Sequence, residues 1–442
     1  VRAHDVRRRN IAAVVRALAT RGPTPRTELA EILQVSPGTV TRIAAELAAV
    51  GLLRELPAQP SADVGRRRVP LQLRAEEFAA VGVHVGPLRA TVGLVDLRGT
   101  PLGRPLQVSR AGRGPREVIA ASAEAARRLT AGRGVRIVGT GICVAGATAP
   151  DRLDTSPDFT GPDDPNRPEG PNRLDRLDRL DRLVGAAAGV PGAGPPDRPE
   201  AGLVRLAAGR FPPPLAVESS HRALARAELR FGGARGTGCF AHLFVGTVVE
   251  AGLVLGADGP GAGGFAAPVP RAADVAHLPL SRPSWTPCHC GRTGCLTSVA
   301  GDRALGARAA AERLTPAGDP AAAPVLRHLV RRAEAGDRAA DYLLRERARA
   351  VGEAVAVLVD LFAPDRVFLS GSPLLVPVHI REVRVEAARR SQAPLDAGQV
   401  IVPSGLSRQV RVVSAATAAL ERFYDDPARA LTCSTSPSGE PV

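Results

Sequence analysis

Apolar residues at Ile11, Val14, Val15 and Leu18 recur at the spacing of one helix face, and Gly22-Pro23 stops that helix. The pattern restarts at Thr24-Pro25 with a short helix whose buried stripe is Leu29, Ile32 and Leu33, and Gln34-Val35 makes the turn out of it. Ser36 then caps a third helix, with Pro37 at its first position, Val40, Ile43, Leu47 and Val50 inward, and Gly51 at its end. Residues 52–56 and 69–73 read as two short strands around a loop ending in Gly65-Arg66-Arg67-Arg68. This order is the layout of an α+β winged helix-turn-helix over residues 1–75. Its predicted DNA contacts are Ser36, Thr39, Thr41 and Arg42 at the start of the third helix and Arg66, Arg67 and Arg68 in the wing. Hydroxyls and guanidinium groups suit base edges and phosphates, and Arg42 is the expected base reader. The competing reading is a small helical dimerisation module whose arginines are merely solvated.

From Phe78 onward the period changes. Residues 81–86 and 90–96 alternate as a hairpin, 115–129 carry a helical stripe through Val118, Ala121, Ala125 and Leu129, and 135–146 form a buried strand running into a glycine loop. Strand and helix then alternate as in an α/β nucleotide-binding architecture. The order breaks between Asp151 and Pro214, where a Leu-Asp-Arg triplet repeat precedes a Gly/Pro/Ala tract. A three-residue period fits neither a helix stripe nor a strand, so residues 160–212 are expected to be a disordered surface insert. Beyond it, 215–221 is a strand entering a helix that runs to Phe231, and 242–247 and 252–255 are strands. Helical patterns cover 302–314, 325–335 and 338–362, Pro364 ends the last, and 367–372 is a strand. Residues 426–442 are expected to be a flexible tail.

The chain has 442 residues and 44% hydrophobic content, enough for two or three domains with sizeable cores. No apolar run has the length of a membrane span or the form of a signal peptide, and the expected location is the cytoplasm. The formal charge is +14, and all of the basic residues are arginine. Residues 1–74 hold thirteen arginines against six acids, so half of the net charge lies in the segment that would meet a polyanion. A lysine-dependent phosphate clamp or Schiff base is excluded.

Six cysteines are too few for a disulfide scaffold, and three of them fall in Cys288-His289-Cys290-Gly291-Arg292-Thr293-Gly294-Cys295. Three thiols with one imidazole make a tetrahedral zinc set, and Gly291 and Gly294 let the loop fold back on itself. The expected ligands are His277, Cys288, Cys290 and Cys295. His289 competes for the fourth position, but it lies between two ligands one residue apart, which turns its side chain away. With four protein ligands the zinc is structural, since no coordination position stays open. Cys143, Cys239 and Cys433 are scattered and read as reduced.

These segments resemble the ROK proteins (repressors, open reading frames and sugar kinases), and among them the xylose-repressor-like transcriptional regulators. Asp274-Val275-Ala276-His277 followed by the cysteine cluster is similar to the family's Glu-x-Gly-His and Cys-x-Cys-Gly-x-x-Gly-Cys signature. Leu361-Phe362-Ala363-Pro364-Asp365-Arg366-Val367 resembles the segment before the last strand of the nucleotide lobe. The resemblance spans nearly the whole chain except the insert and the residues after about Arg422. It implies a two-lobed, actin-like (ribonuclease H-like) domain over 76–425, a homodimer or homotetramer, and binding to double-stranded operator DNA. It also implies an adjusting sugar, sugar phosphate or partner protein, and no membrane partner.

Departures from the family pattern point away from catalysis. Family kinases carry Asn-Asp where this chain has Ser219-Ser220, and a serine hydroxyl cannot act as general base near neutral pH without a base of its own. His221 follows directly, and successive helix residues do not face each other. The phosphate loops read His84-Val85-Gly86-Pro87-Leu88 and Gly246-Thr247-Val248-Val249-Glu250, so Val248 and Val249 block close backbone approach and Glu250 repels phosphate. Ser219, Ser220, Asp274 and His277 are left as the expected sugar contacts, while Thr297 replaces a family glutamate. The resulting expectation is a non-enzymatic repressor of carbohydrate genes. An ATP-dependent sugar kinase is the alternative, and a ligand-free scaffold the third reading.

Overall fold

The computed structural model describes residues 3–58, 69–145, 199–256, 271–315 except 274, 285 and 289, 323–372, 377–406 and 409–428. The N-terminal unit is α1 (Ala3–Arg21), β1 (Thr24–Pro25), α2 (Arg26–Leu33), α3 (Pro37–Ala49), β2 (Leu53–Glu55) and β3 (Pro70–Leu73). Its strands form an antiparallel sheet in the order β1-β3-β2. Pro25 acts as the N-cap of α2 and also pairs with Pro70, so the expected helix start is at the same time a strand. Val40, Ile43 and Leu47 are buried as predicted, but Val50 is 40% exposed. The helix stops at Ala49, and Gly51 at φ +76° turns the chain before Val50 can point inward. Arg66, Arg67 and Arg68 lie outside the described residues.

The first lobe comprises β4 (Phe78–Val85), β5 (Arg89–Asp96), β6 (Leu106–Ser109), α4 (Pro115–Thr130), β7 (Arg136–Val144), α5 (Pro199–Ala207), β8 (Leu215–Ser219) and α6 (Ser220–Phe231). The second comprises β9 (Phe240–Val245), β10 (Val249–Val254), β11 (Arg271–Ala273), α7 (Leu296–Ala300), α8 (Asp302–Ala311), α9 (Ala323–Glu334), α10 (Arg338–Phe362), β12 (Arg366–Gly371), α11 (Pro377–Arg390), α12 (Ala397–Val400) and β13 (Ile401–Pro403). Strand order is β6-β5-β4-β7-β8 in one lobe and β11-β10-β9-β12-β13 in the other. Each sheet thus joins an antiparallel meander to two parallel strands by the same path, the actin-like two-lobed arrangement.

One expectation is corrected here. The C-terminal part of the insert is ordered: α5 closes the first lobe, with Leu203, Ala207 and Phe211 buried beside Val118 and Ile119 of α4. The triplet repeat masked the apolar positions that follow it, which lie at helical spacing. Residues 146–198 are outside the described residues, as is the tail from 429.

The last helix, α13 (Val410–Asp425), returns to the first lobe. It lies on a row of glycines that pair with one another across three strands, Gly93, Gly82 and Gly141. A methyl group on Gly141 would sit 1.9 Å from the Ala415 carbonyl oxygen, and one on Gly82 2.4 Å from that of Val412. Only glycine permits this approach. The far end of α13 reaches the N-terminal unit. Tyr424 donates its hydroxyl to the Leu97 carbonyl, Asp425 pairs with Arg16, and Asp426 lies 3.6 Å from Arg8. One continuous core joins Leu18, Leu47 and Leu73 to Phe78, Leu97, Phe423 and Tyr424.

Candidate metal centre and interlobe cleft

The cysteine loop is closed by backbone pairing. Leu280 N–H donates to the Gly294 carbonyl at 2.8 Å and Leu296 N–H to that of Leu278 at 2.9 Å, which lays the His277 segment beside Cys295. Gly291 N–H donates to the Cys288 carbonyl at 2.8 Å, with Gly291 and Gly294 at φ +79° and +74°. One donor atom from each of His277, Cys288, Cys290 and Cys295 lies within 4.8 Å of the others. The closest pairs are His277 Nδ1 to Cys288 Sγ at 3.3 Å and Cys290 Sγ to Cys295 Sγ at 3.6 Å. Zn–S bonds of about 2.3 Å in a tetrahedron require S···S edges of about 3.8 Å, so the donor set can hold a metal ion and is compatible with zinc. Burial pushes the Cys288 thiol up to about 12. At Cys290 burial is outweighed by hydrogen bonds from Arg292 and its two cysteine neighbours, and the thiol falls to about 6. His289 and Asp274 are outside the described residues.

The loop is bolted to two helices by a residue the sequence did not single out. Arg282 reaches Glu346 and Glu353 of α10 at 3.1 Å each and Glu386 of α11 at 2.9 Å. Ser281 adds its N–H and hydroxyl to Glu353 at 2.7 and 2.9 Å. Burial opposes ionisation of Glu386, but Arg389, Arg390 and Arg282 hold its carboxyl down at about 2. Nothing in the Ser-Arg-Pro stretch itself announces this role, because the partners are 64 to 104 positions away.

Between the lobes, residues of the two segments likened to phosphate loops meet Ser220, which stands at the position of the family kinases' base. His84, Ser220 and Glu250 are all buried, the last two at 1% exposure. Ser220 Oγ donates to Glu250 Oε2 at 2.8 Å and lies 3.4 Å from His84 Nε2. His221 turns to the other carboxylate oxygen, 3.9 Å away, and forms no pair with Ser220. Arg411, at the start of α13, is half-buried with its guanidinium 5.1 Å over the Phe244 ring and faces Asp302 and Glu250. Burial, reinforced by the Arg411 charge, pushes His84 down to about 3, so its ring is neutral. Leu224, Phe244 and Val410 close over the cluster, with Val248 against them.

Two sequence expectations change here. Glu250 does more than repel phosphate: it is folded inward as a hydrogen-bond acceptor. Ser220, expected to contact sugar, has its hydroxyl already engaged. Ser219 caps α6 without a side-chain bond, and its hydroxyl is buried without a partner among the described residues. A second Ser-His-Glu series, also unforeseen, runs from Ser370 Oγ to His242 Nε2 at 2.7 Å and from His242 Nδ1 to Glu228 Oε2 at 3.2 Å. Ser370 is 3% exposed, and Glu228 also accepts from Gly233 N–H and the Ser404 hydroxyl, so this series is an internal tie between strands and loops.

On α3, the Ser36 hydroxyl accepts the Thr39 N–H at 3.2 Å and meets the Thr39 hydroxyl at 2.8 Å. Thr41 donates its hydroxyl to the Pro37 carbonyl at 2.9 Å. Arg42 is exposed.

Comparison with known proteins gives a coherent set of relatives. A family model described as "ROK family" matches residues 196–421, about half of the chain. Transcriptional regulator Rv0485 of Mycobacterium tuberculosis is 28% identical over 440 residues, covering 95% of this chain and 87% of the relative. The N-acetylglucosamine repressor of Escherichia coli O157:H7 is 24% identical over 391 residues, covering 83% and 81%. Among solved structures, a ROK family transcriptional regulator described as a homolog of the E. coli MLC protein superposes with a TM-score of 0.62 at 19% identity, over 96% of this chain and 98% of that one. A ROK family glucokinase from Streptomyces griseus, with glucose and AMPPNP, gives 0.53 at 21% identity over 76% and 98%.

Proposed function

This chain belongs to the ROK family, and on that premise we propose that it is a DNA-binding transcriptional regulator, a repressor of carbohydrate genes acting in the cytoplasm. The observation that carries the reading is the N-terminal unit. Its three helices and small antiparallel sheet are consistent with the layout of a winged helix-turn-helix, in which the capped α3 would present Ser36, Thr39, Thr41 and Arg42 to duplex DNA. Arg66, Arg67 and Arg68 would add wing contacts to phosphate or the minor groove. A homodimer or homotetramer would read a palindromic operator.

The larger domain serves as a sensor in this reading and transfers no phosphate. Ser220 cannot take a proton from a sugar hydroxyl while it donates to Glu250, and Glu250 in the second loop would repel a nucleotide phosphate. A sugar or sugar-phosphate effector would meet Ser219, Asp274 and the non-metal nitrogen of His277, with Ser220 reached only by displacing Glu250. His277, Cys288, Cys290 and Cys295 would hold a structural Zn2+, which when bound keeps the loop folded and supplies no reaction chemistry. No helix among the described residues is long and apolar enough to cross a membrane.

The test is titration of the purified full chain against duplex from its own upstream region over a salt series. A steep fall in affinity with salt and a preference over random duplex are expected; equal binding to both would overturn the reading. Phosphotransfer to hexoses that vanishes in Ser220→Ala would instead establish the kinase.

A further inference from the structure

The outward face of α3 consists of Gly38, Thr41, Arg42, Ala45 and Ala49, all exposed and at helical spacing opposite Val40, Ile43, Ala44 and Leu47. Most polar groups nearby are already engaged. Ser36 and Thr39 hold each other at the cap, the Thr41 hydroxyl is spent on the Pro37 carbonyl, and Glu46 pairs with Arg7 at 2.9 Å. Arg42 has no hydrogen-bond or ion-pair partner among the described residues. The other members of this face carry at most a methyl group once the Thr41 hydroxyl is turned to the backbone. A face of Gly, Ala and methyl groups lets the helix axis come close to the floor of the major groove, and one long guanidinium then projects from it.

We infer that α3 makes its base-specific hydrogen bonds through a single side chain. Arg42 forms paired hydrogen bonds to O6 and N7 of one guanine in each half-site, and the methyl groups of Thr41 and Ala45 take the 5-methyl of an adjacent thymine. Ser36 and Thr39 shape the helix start and carry no base identity. The inference rests on the regulator reading above and deepens it, since it names the base that the helix requires. It also implies that the rest of the affinity comes from phosphate contact and duplex shape.

The experiment is selection of binding sites from a random duplex library by the full chain at one salt concentration, in parallel with Arg42→Gln and Thr41→Ser. The unaltered protein is expected to enrich two-fold symmetric sites with one invariant guanine per half-site. Arg42→Gln should lose that preference at that position alone and bind the selected duplex roughly 5- to 150-fold more weakly. Placing 7-deazaguanine there should weaken the unaltered protein by a similar factor and leave Arg42→Gln unaffected, whereas Thr41→Ser should relax only the neighbouring thymine. An unchanged melting temperature separates lost recognition from lost folding. Guanine preference that survives in Arg42→Gln would overturn this assignment and leave the regulator reading intact. Failure of the full chain to enrich any site would overturn both.

Discussion

The cysteine loop and the interlobe cleft each gather polar side chains within a few ångströms in apolar surroundings, yet they are opposite kinds of site. In the loop, three thiols and an imidazole offer their donor atoms to one another, and the Arg292 guanidinium that bonds Cys290 brings one positive charge against as many as three thiolates. In the cleft, the Glu250 carboxylate accepts from Ser220 and faces the Arg411 guanidinium, so its charge is answered from within the protein. The first arrangement presents donor atoms to an added cation, and the second spends its carboxylate on neighbours within the chain. Hydrogen-bond direction and charge balance tell them apart where the number of polar residues does not.

The largest expected effect tests the first half of that contrast. Cys295→Ser, or chelation of the intact protein, should release metal and lower Tm by on the order of 10 °C, read by elemental analysis alongside thermal melting. Unchanged melting with no metal bound would reduce the loop to three buried thiols. Next is Glu250→Ala, which removes one of the two carboxylates that Arg411 faces and leaves the buried Ser220 hydroxyl without its acceptor, and should cost about 3 kcal/mol by urea denaturation. Adding metal should not restore it. Arg282→Ala comes third, at about 2 kcal/mol, because it frees carboxylates on α10 and α11, and Arg282→Lys should recover only part, since a compact ammonium lacks the spread planar fork that reaches all three. Ser36→Ala is the smallest, at about 1 kcal/mol for the lost cap, with no change in base preference.

Acid should take the cleft apart before the bolt behind the loop. His84 is neutral when folded, with its pKa near 3 against 6.5 when unfolded, so between those values the unfolded chain binds more protons and stability falls as pH drops. Glu386 is held near 2 against 4.5, so its contribution is present above 4.5 and is lost only as pH falls from there toward 2. Stability measured from pH 7 to 3 should therefore begin to decline near 6.5, and His84→Gln should flatten that first part of the slope. An unaltered slope in His84→Gln would place the acid sensitivity elsewhere.

Much of this was legible in the sequence wherever the deciding contacts are local. The expected helix over residues 338–362 is found as Arg338–Phe362, since its stripe, the Asp337 cap and the stop before Pro364 all act within a few residues. Ser36 caps α3 as read, and the cysteine spacing alone named a donor set that folding brings within reach. The misreadings have equally local causes. Val50 continued an apolar period past the end of its helix, and the triplet repeat hid the helix Pro199–Ala207 behind a compositional signal.

The sequence by itself determined the capped helices, the turn glycines and the metal-ligand set, because those depend on neighbours along the chain. Tertiary structure alone decided that His84, Ser220, Glu250 and Arg411 should meet in one cleft, that Arg282 should join two helices, and that α13 should lie on the glycines of three strands. Which buried polar group answers which depends on pairing between segments 30 to 136 positions apart, and no period along the chain carries that information.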